Sequence, residues 1–145
     1  MALKRTATAQ WQGTGAEGAG TVTAPGGVLT NTPYSFKTRF LDADGKAGTN
    51  PEELIAAAHA ACFTMALSFT LGGQGFAPEQ LETRAVVAME KDTLGGFEIV
   101  GIELILTGSA VGASKEQFAA AAALAKANCP ISKALAALPI TLTIN

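Results

Sequence analysis

The sequence predicts an α+β fold from three observations. Short segments in which the character of the residues alternates come first and are joined by turns. A long apolar helix follows, and two longer segments with the same alternation then form a hairpin. The regular β-α-β alternation of a doubly wound parallel sheet does not occur in this order of elements. We therefore expect antiparallel sheets packed around long central helices, in a single domain over residues 1–145.

The N-terminal part predicts an antiparallel meander. Glycine- and proline-containing turns separate four segments of strand character, and Gly13–Gly20 is typical of a turn or mobile hairpin tip. Arg39 belongs to the last of these segments, where its default interpretation is an ordinary charge at a sheet edge. The expected strands cover residues 4–11, 20–24, 27–31 and 34–41.

The first helix has a well-specified start. Asn50 can cap it, Pro51 suits its first position, and the Glu53 carboxylate could reach back to the cap amide. The side chains that follow are apolar or small on almost every face as far as Gly73. Such a helix is expected to be covered nearly all round, as a central helix would be.

The C-terminal half predicts a long hairpin, two helices and a closing strand. Ser114 is followed three residues later by Gln117, which is a capping-box pattern at a helix start. The expected elements are strands over 81–91 and 97–107, a helix over 114–127, a short helical turn from Pro130, and a strand over 140–144.

The chain is poor in charge. Only 15% of its residues are charged, against about 25% in typical globular proteins, and 48% are hydrophobic. The net charge is −2 and the ten basic residues are scattered, so neither nucleic acid nor an anionic membrane is an expected partner. Much of the apolar surface is instead expected to be buried between subunits.

The start of the chain has no apolar core followed by a small-residue cleavage site, so we expect a cytoplasmic protein. In that reducing compartment a permanent disulfide is uncommon. The two cysteines are then catalytic, redox-sensing or simply buried.

The two thiols have different local settings. Cys62 and Cys129 are 67 positions apart, and with a single histidine they cannot supply a cysteine-rich zinc site. Cys129 precedes Pro130 at the start of a helical turn, where the helix dipole favours a thiolate; a buried, inert cysteine is the alternative. Cys62 lies in an apolar helix, where burial would raise its pKa, so a nucleophilic role needs a cation from elsewhere in the fold.

Two residues could supply that cation. His59 lies one turn before Cys62, but a lone histidine in an alanine-rich helix is more often packed or hydrogen-bonded. Arg39 is the better candidate, because a guanidinium stays charged and can bind a carboxylate through two hydrogen bonds.

Several motifs together carry a resemblance to a known family. The segments Asn50–Phe63, Asn128–Ser132 and Thr38–Phe40 closely resemble the OsmC branch of the OsmC/Ohr family, the osmotically inducible and organic-hydroperoxide-resistance proteins. Further matching features are Trp11, the glycine-rich N-terminal turn, Gly27-Val28-Leu29 and Pro33-Tyr34. The resemblance implies the OsmC-like fold, which is an intertwined homodimer.

The resemblance also implies an activity. It indicates a thiol peroxidase that reduces organic hydroperoxides, and hydrogen peroxide less efficiently, with no metal, haem or other cofactor. By this resemblance Cys62 is the peroxidatic thiolate, Cys129 is the resolving thiol, and Arg39 and Glu52 are the charged pair that activates Cys62. A Cys62 sulfenic acid would condense with Cys129 to a disulfide, which an external dithiol, in the family commonly a lipoylated protein, would reduce.

One departure from the family concerns the activating arginine. Ohr proteins carry it near the N-terminal turn, but residues 14–20 contain none, so Arg39 must fill the role. Glu52 and Cys62 lie about 15 Å apart along one straight helix and cannot touch. Either Arg39 bridges that gap or the charges come from a second subunit, and our hypothesis is an active site built across the dimer interface.

Two other classes of function remain open from the sequence. One is a non-enzymatic redox sensor or small-ligand-binding protein that uses the same cysteine pair, and the other is a structural stress protein with buried cysteines. Four residues could line a substrate pocket, although core packing is their default role: Tyr34, Phe36, Phe40 and Met65.

Overall fold

The computed structural model describes residues 2–145. The chain forms two compact units, of which the first ends at Leu54 and the second is Ile55–Asn145. The expected assignment of residues 1–145 to a single domain stays a prediction.

The first unit contains the predicted meander and one unexpected helix. Strands β1 (Thr8–Gln12), β2 (Ala19–Thr23) and β3 (Thr32–Ser35) form an antiparallel sheet in that order. Helix α1 (Phe36–Phe40) follows directly. The strand expected over 27–31 is not formed, since bends occupy those residues.

The strand expected over 34–41 is wrong for most of its length, because the chain turns into α1 after Ser35. The Ser35 hydroxyl accepts the Thr38 N–H at 3.1 Å, and the Thr38 hydroxyl accepts the Ser35 N–H at 2.8 Å. This reciprocal capping starts a helix despite the strand propensity of the segment. Arg39 therefore lies on a helix and not at a sheet edge.

The second unit contains the longer elements. Helix α2 (Pro51–Gly73) begins in the first unit and is followed by β4 (Ala77–Lys91) and β5 (Phe97–Val111), which pair as the predicted antiparallel hairpin. Helices α3 (Lys115–Asn128) and α4 (Pro130–Ala134) precede β6 (Ile140–Ile144). Strand β6 pairs with β5 in the parallel direction, so this sheet is mixed.

The predicted helix starts are largely confirmed. Asn50 Oδ1 accepts the Glu53 N–H at 2.8 Å, and Ser114 and Gln117 form the full capping box of α3. The Glu53 carboxylate differs from expectation, since it accepts the Thr49 hydroxyl at 3.0 Å. Both helices thus begin where the sequence predicts.

The hydrophobic core of the second unit joins α2, β5 and α3. Mostly small side chains form the buried face of α3, and Cys129 at its end is part of the same core. The core residues are Phe63, Leu67 and Leu71 of α2, Ile102, Leu104, Leu106 and Ala110 of β5, and Phe118, Ala121, Ala122 and Ala125 of α3. This packing brings the end of α3 to the middle of α2.

Candidate active site

The two cysteines meet although 67 positions separate them. Cys62 lies in the middle of α2, Cys129 lies between α3 and α4, and their sulfur atoms are 3.2 Å apart. Both are free thiols. Cys129 is completely buried, whereas Cys62 is partly exposed. The structure thus joins the predicted thiol pair and leaves only one of its members open to solvent.

The position of Cys129 follows from local backbone chemistry. Its N–H donates to the Ala125 carbonyl at 2.8 Å and ends α3, while Pro130 occupies the first position of α4. A residue before proline avoids helical dihedral angles, and Cys129 has φ −57° and ψ 122°. Cys129 is therefore the N-terminal cap residue of α4, as the sequence predicts.

The surroundings shift the pKa values of the two thiols in opposite directions. Burial raises the pKa of Cys62, and the neighbouring Cys129 adds to that rise. Burial also disfavours the Cys129 thiolate, but N–H groups at the start of α4, the Cys62 thiol and the Ser132 hydroxyl outweigh it and lower the pKa of Cys129. Cys62 consequently needs a positive charge from elsewhere, as expected.

The predicted charged pair is formed within the first unit. Arg39 of α1 donates to both carboxylate oxygens of Glu52, from Nε at 3.1 Å and from Nη2 at 2.6 Å. The guanidinium carbon also lies 5.0 Å from the centre of the Phe40 ring. A bidentate ion pair holds the guanidinium plane in one orientation. The Arg39 side chain still keeps 36% of its surface exposed.

An apolar cavity of about 370 Å³ lies beside Arg39 in the first unit. Three aromatic residues that the sequence predicts as a pocket lining, Tyr34, Phe36 and Phe40, are part of the cavity wall. Trp11 is a fourth aromatic residue of this wall, and the sequence did not predict it there. Met65 lies elsewhere, on an exposed part of α2. The aromatic wall consists of Trp11, Tyr34, Phe36 and Phe40.

His59 is fully buried and is not the cation that Cys62 needs. Its Nε2 atom is 2.8 Å from the Ser132 hydroxyl, and its Nδ1 atom has no hydrogen-bond partner among residues 2–145. Burial lowers the pKa of His59, which keeps the ring neutral. The packed, hydrogen-bonded alternative thus describes this histidine. Nothing in the sequence pattern pointed to Ser132 as its partner.

His59 predicts a pH dependence of stability. Its pKa is lowered in the folded protein from an unfolded value of 6.5, so below about pH 6.5 the unfolded chain binds the proton first. We expect the free energy of unfolding to fall as the pH drops from 6.5 towards 5, by at most about 1.4 kcal/mol per pH unit. Urea unfolding at a series of pH values measures this slope.

The control is His59→Gln, because the chain has one histidine and most carboxylates titrate at lower pH. This variant should show a much flatter profile between pH 6.5 and 5. Equal slopes for the two proteins would contradict a buried neutral histidine.

The arrangement supports thiol chemistry. Among residues 2–145, no three side chains of His, Cys, Asp and Glu cluster as metal ligands would. In the second unit the partly exposed Cys62 is in contact with the buried Cys129, and this thiol pair can carry a reaction. In the first unit the charged pair offers a guanidinium.

Known proteins resemble this chain over nearly its whole length. Peroxiredoxin OsmC of Escherichia coli is 44% identical over 137 residues, which cover 94% of this chain and 93% of that protein. Organic hydroperoxide resistance protein OhrB of Bacillus subtilis is 34% identical over 116 residues, 80% of this chain and 81% of that protein. The crystal structure of OhrB superposes with a TM-score of 0.75 at 31% identity, covering 97% of this chain and 98% of that chain.

These relatives support an enzyme of the thiol peroxidase type and confirm the α+β fold. The family described as OsmC-like protein matches residues 43–145. With most of its length matched by that family and with two such relatives, the chain belongs to the OsmC-like protein family.

Proposed function

We propose that this chain reduces organic hydroperoxides to alcohols, and hydrogen peroxide less efficiently, through its two cysteines. The observation that carries the proposal is the 3.2 Å contact between the sulfur atoms of Cys62 and Cys129. The relatives named Peroxiredoxin OsmC and organic hydroperoxide resistance protein OhrB support the reaction class. A cytoplasmic location, where the thiols stay reduced, is part of the proposal.

Cys62 attacks first. A hydroperoxide must reach the sulfur it oxidises, and Cys129 is fully buried while Cys62 is partly exposed. The Cys62 thiolate attacks the terminal peroxide oxygen, the O–O bond breaks, and the alkoxide leaves and is protonated to the alcohol. Cys62 becomes a sulfenic acid.

The Cys62 thiolate needs help to form, because burial and the neighbouring thiol raise its pKa. Arg39 supplies the charge, and its two hydrogen bonds to Glu52 support this role because they keep the guanidinium oriented. With a positive charge to stabilise it, the Cys62 thiolate forms by losing its proton to solvent, while Cys129 keeps its own proton and donates it in a hydrogen bond to the Cys62 sulfur. Cys129 thus holds its proton during the attack.

Cys129 then resolves the sulfenic acid. Its sulfur attacks Cys62 sulfur, an S–S bond forms, and the sulfenic oxygen leaves as water. The two sulfurs must approach from 3.2 Å to about 2.05 Å. An external dithiol returns both thiols to the reduced state and is itself oxidised to a disulfide, and a lipoylated protein is the candidate reductant.

The cavity beside Arg39 suits the organic part of the substrate. Its aromatic wall of Trp11, Tyr34, Phe36 and Phe40 offers apolar surface, while Arg39 offers a charge at one side. A hydroperoxide with an aromatic or alkyl group combines the same two properties. Hydrogen peroxide has no apolar part, so it gains nothing from this wall.

The exposed face of α2 supports a homodimer. The helix is apolar on nearly every side, yet within this chain Met65 is 59% exposed and Phe69 is 76% exposed. These two residues lie four positions apart and share one helix face. The helix is also long and apolar enough to cross a membrane by length and composition alone. A second copy of the chain is the occupant we propose, because four α2 side chains already pack into a protein core: His59, Phe63, Leu67 and Leu71.

The dimer is tested with Phe69→Glu. A carboxylate buried in an apolar interface is strongly unfavourable, so this variant should be monomeric at micromolar concentration, whereas the parent should have the mass of a dimer. Light scattering after size exclusion measures both masses.

Leu94→Glu is the matched control, since Leu94 is 95% exposed in a turn and the same substitution there should leave the dimer intact. A monomeric parent, or an unchanged dimer in Phe69→Glu, would contradict an interface on this face.

The function itself is tested by following the loss of cumene hydroperoxide in the presence of dihydrolipoamide. We expect catalytic turnover, with cumyl alcohol as the product and a smaller kcat/KM for hydrogen peroxide. A parent protein that forms the disulfide once but does not turn over would be a redox sensor. A parent protein that consumes no hydroperoxide would be a structural protein, and either result overturns the proposal.

A further inference from the structure

A buried hydrogen bond runs beside the thiol pair and joins the same two segments. His59 Nε2 on α2 is 2.8 Å from the Ser132 hydroxyl on α4, and both residues are buried, His59 fully and Ser132 with 7% exposure. The proposed reaction does not use either residue. Each of them, however, lies three residues from one of the two cysteines.

The two contacts repeat the same spacing. His59 precedes Cys62 by three residues on α2, and Cys129 precedes Ser132 by three residues at the start of α4. Residues three apart on a helix lie on one face. The His59–Ser132 contact at 2.8 Å and the Cys62–Cys129 contact at 3.2 Å are therefore two adjacent links between the same pair of helical segments.

The hydrogen bond has a preferred direction. Nδ1 has no hydrogen-bond partner among residues 2–145. A buried N–H without a partner is rare in proteins, so the favoured tautomer is the one in which Nδ1 carries no proton. Nε2 then carries the proton and donates to the Ser132 oxygen. The Ser132 hydroxyl proton is then free to point at another acceptor. The Cys129 sulfur is such an acceptor, and a hydrogen bond from the Ser132 hydroxyl favours the Cys129 thiolate.

We propose that His59 and Ser132 are positioning residues for the resolving step, which hold the start of α4 against α2 so that Cys129 stays in line with Cys62. This inference rests on the proposed thiol chemistry. The bond forms between Cys129 sulfur and Cys62 sulfur, and the oxygen of the sulfenic acid leaves as water. Neither His59 nor Ser132 gains or loses a proton overall in that step.

The test is Ser132→Ala, which removes one oxygen atom and little volume. In single turnover, sulfenic acid formation should keep its parental rate, whereas disulfide formation should slow about tenfold, as expected when an ordering buried hydrogen bond is lost. Mass spectrometry of dimedone-trapped samples measures the first step, and loss of free thiols measures the second. The longer-lived sulfenic acid should also become sulfinic acid at a lower hydroperoxide concentration than in the parent.

Two further variants make the result specific. His59→Gln keeps an N–H donor near the Nε2 position and should resolve at close to the parental rate, while His59→Leu should slow resolution as Ser132→Ala does. Thr83→Val is the matched control, because it removes a different side-chain hydrogen bond to α2, the 2.7 Å contact with Thr64. It should resolve at the parental rate.

A second measurement does not depend on peroxide. Equilibration with reduced and oxidised glutathione gives the effective concentration of one thiol at the other, which should fall about tenfold in Ser132→Ala. Equal resolution rates and equal effective concentrations in parent and Ser132→Ala would overturn this inference while leaving the peroxidase intact. A parent that consumes no hydroperoxide would overturn the peroxidase, while the glutathione result would still decide the positioning role.

Discussion

Cys62→Ser is expected to lower hydroperoxide turnover at least about a thousandfold, because the variant lacks the sulfur that attacks the peroxide and a serine hydroxyl is a far weaker nucleophile at neutral pH. Cys129→Ser is expected to behave differently. Given one equivalent of hydroperoxide per chain, it should consume that equivalent and remain a Cys62 sulfenic acid, since no second thiol lies at 3.2 Å to displace the oxygen. Stopped-flow loss of cumene hydroperoxide without reductant separates the two behaviours.

Ser68→Ala serves as the control, because it removes a hydroxyl from an exposed position on the same helix as Cys62. It should retain parental turnover. If Cys129→Ser lost the first equivalent while Cys62→Ser kept it, the order of the two thiols would be reversed, in line with the lowered pKa of Cys129.

Arg39→Gln is expected to slow the first oxidation of Cys62 by about a hundredfold near neutral pH. Without the guanidinium, burial and the neighbouring thiol leave the pKa of Cys62 raised, so only a small fraction of the sulfur is thiolate. The difference in oxidation rate between Arg39→Gln and the parent should shrink as the pH rises, because hydroxide then removes the Cys62 proton that Arg39 no longer helps to displace. Single-turnover rates between pH 6 and 10 measure this effect.

Arg84→Gln is the matched control, since Arg84 is an exposed arginine of β4. It should leave both the rate and its pH profile unchanged. A pH-independent deficit in Arg39→Gln would indicate a loss of structure and would contradict electrostatic activation.

Mixed dimers identify the chain that supplies the guanidinium. Cys62→Ser and Arg39→Gln are each expected to be nearly inactive, but their heterodimer would contain one complete site if Arg39 serves the Cys62 of its partner. An equal mixture that exchanges subunits freely should then recover about a quarter of the parental activity, because half of the dimers are mixed and each has one complete site of two. No recovery from a mixture proven to contain heterodimers would place both residues in the same chain.

Local chemistry made much of the fold predictable. Asn50 and Pro51 start α2, Ser114 starts α3, and Cys129 caps α4, each by contacts within a few residues. Local chemistry also misled, since the strand-like residues after Ser35 form α1 through a Ser35–Thr38 capping pair that lacks the usual glutamate or glutamine. The parallel pairing of β6 with β5 had no local signal either, because it depends on the path of α3 and α4.

The candidate site divides in the same way. The sequence by itself determined which residues have reactive or charged groups, and it predicted the direction of the Cys62 pKa shift from the apolar helix around it. Only the tertiary structure decided their partners: Glu52 for Arg39, Cys129 for Cys62, and Ser132 for His59. The two α2 contacts depend on where the core places the end of α3, which sets where α4 begins. Packing between segments far apart in the chain is a property of the folded core, and no local pattern encodes it.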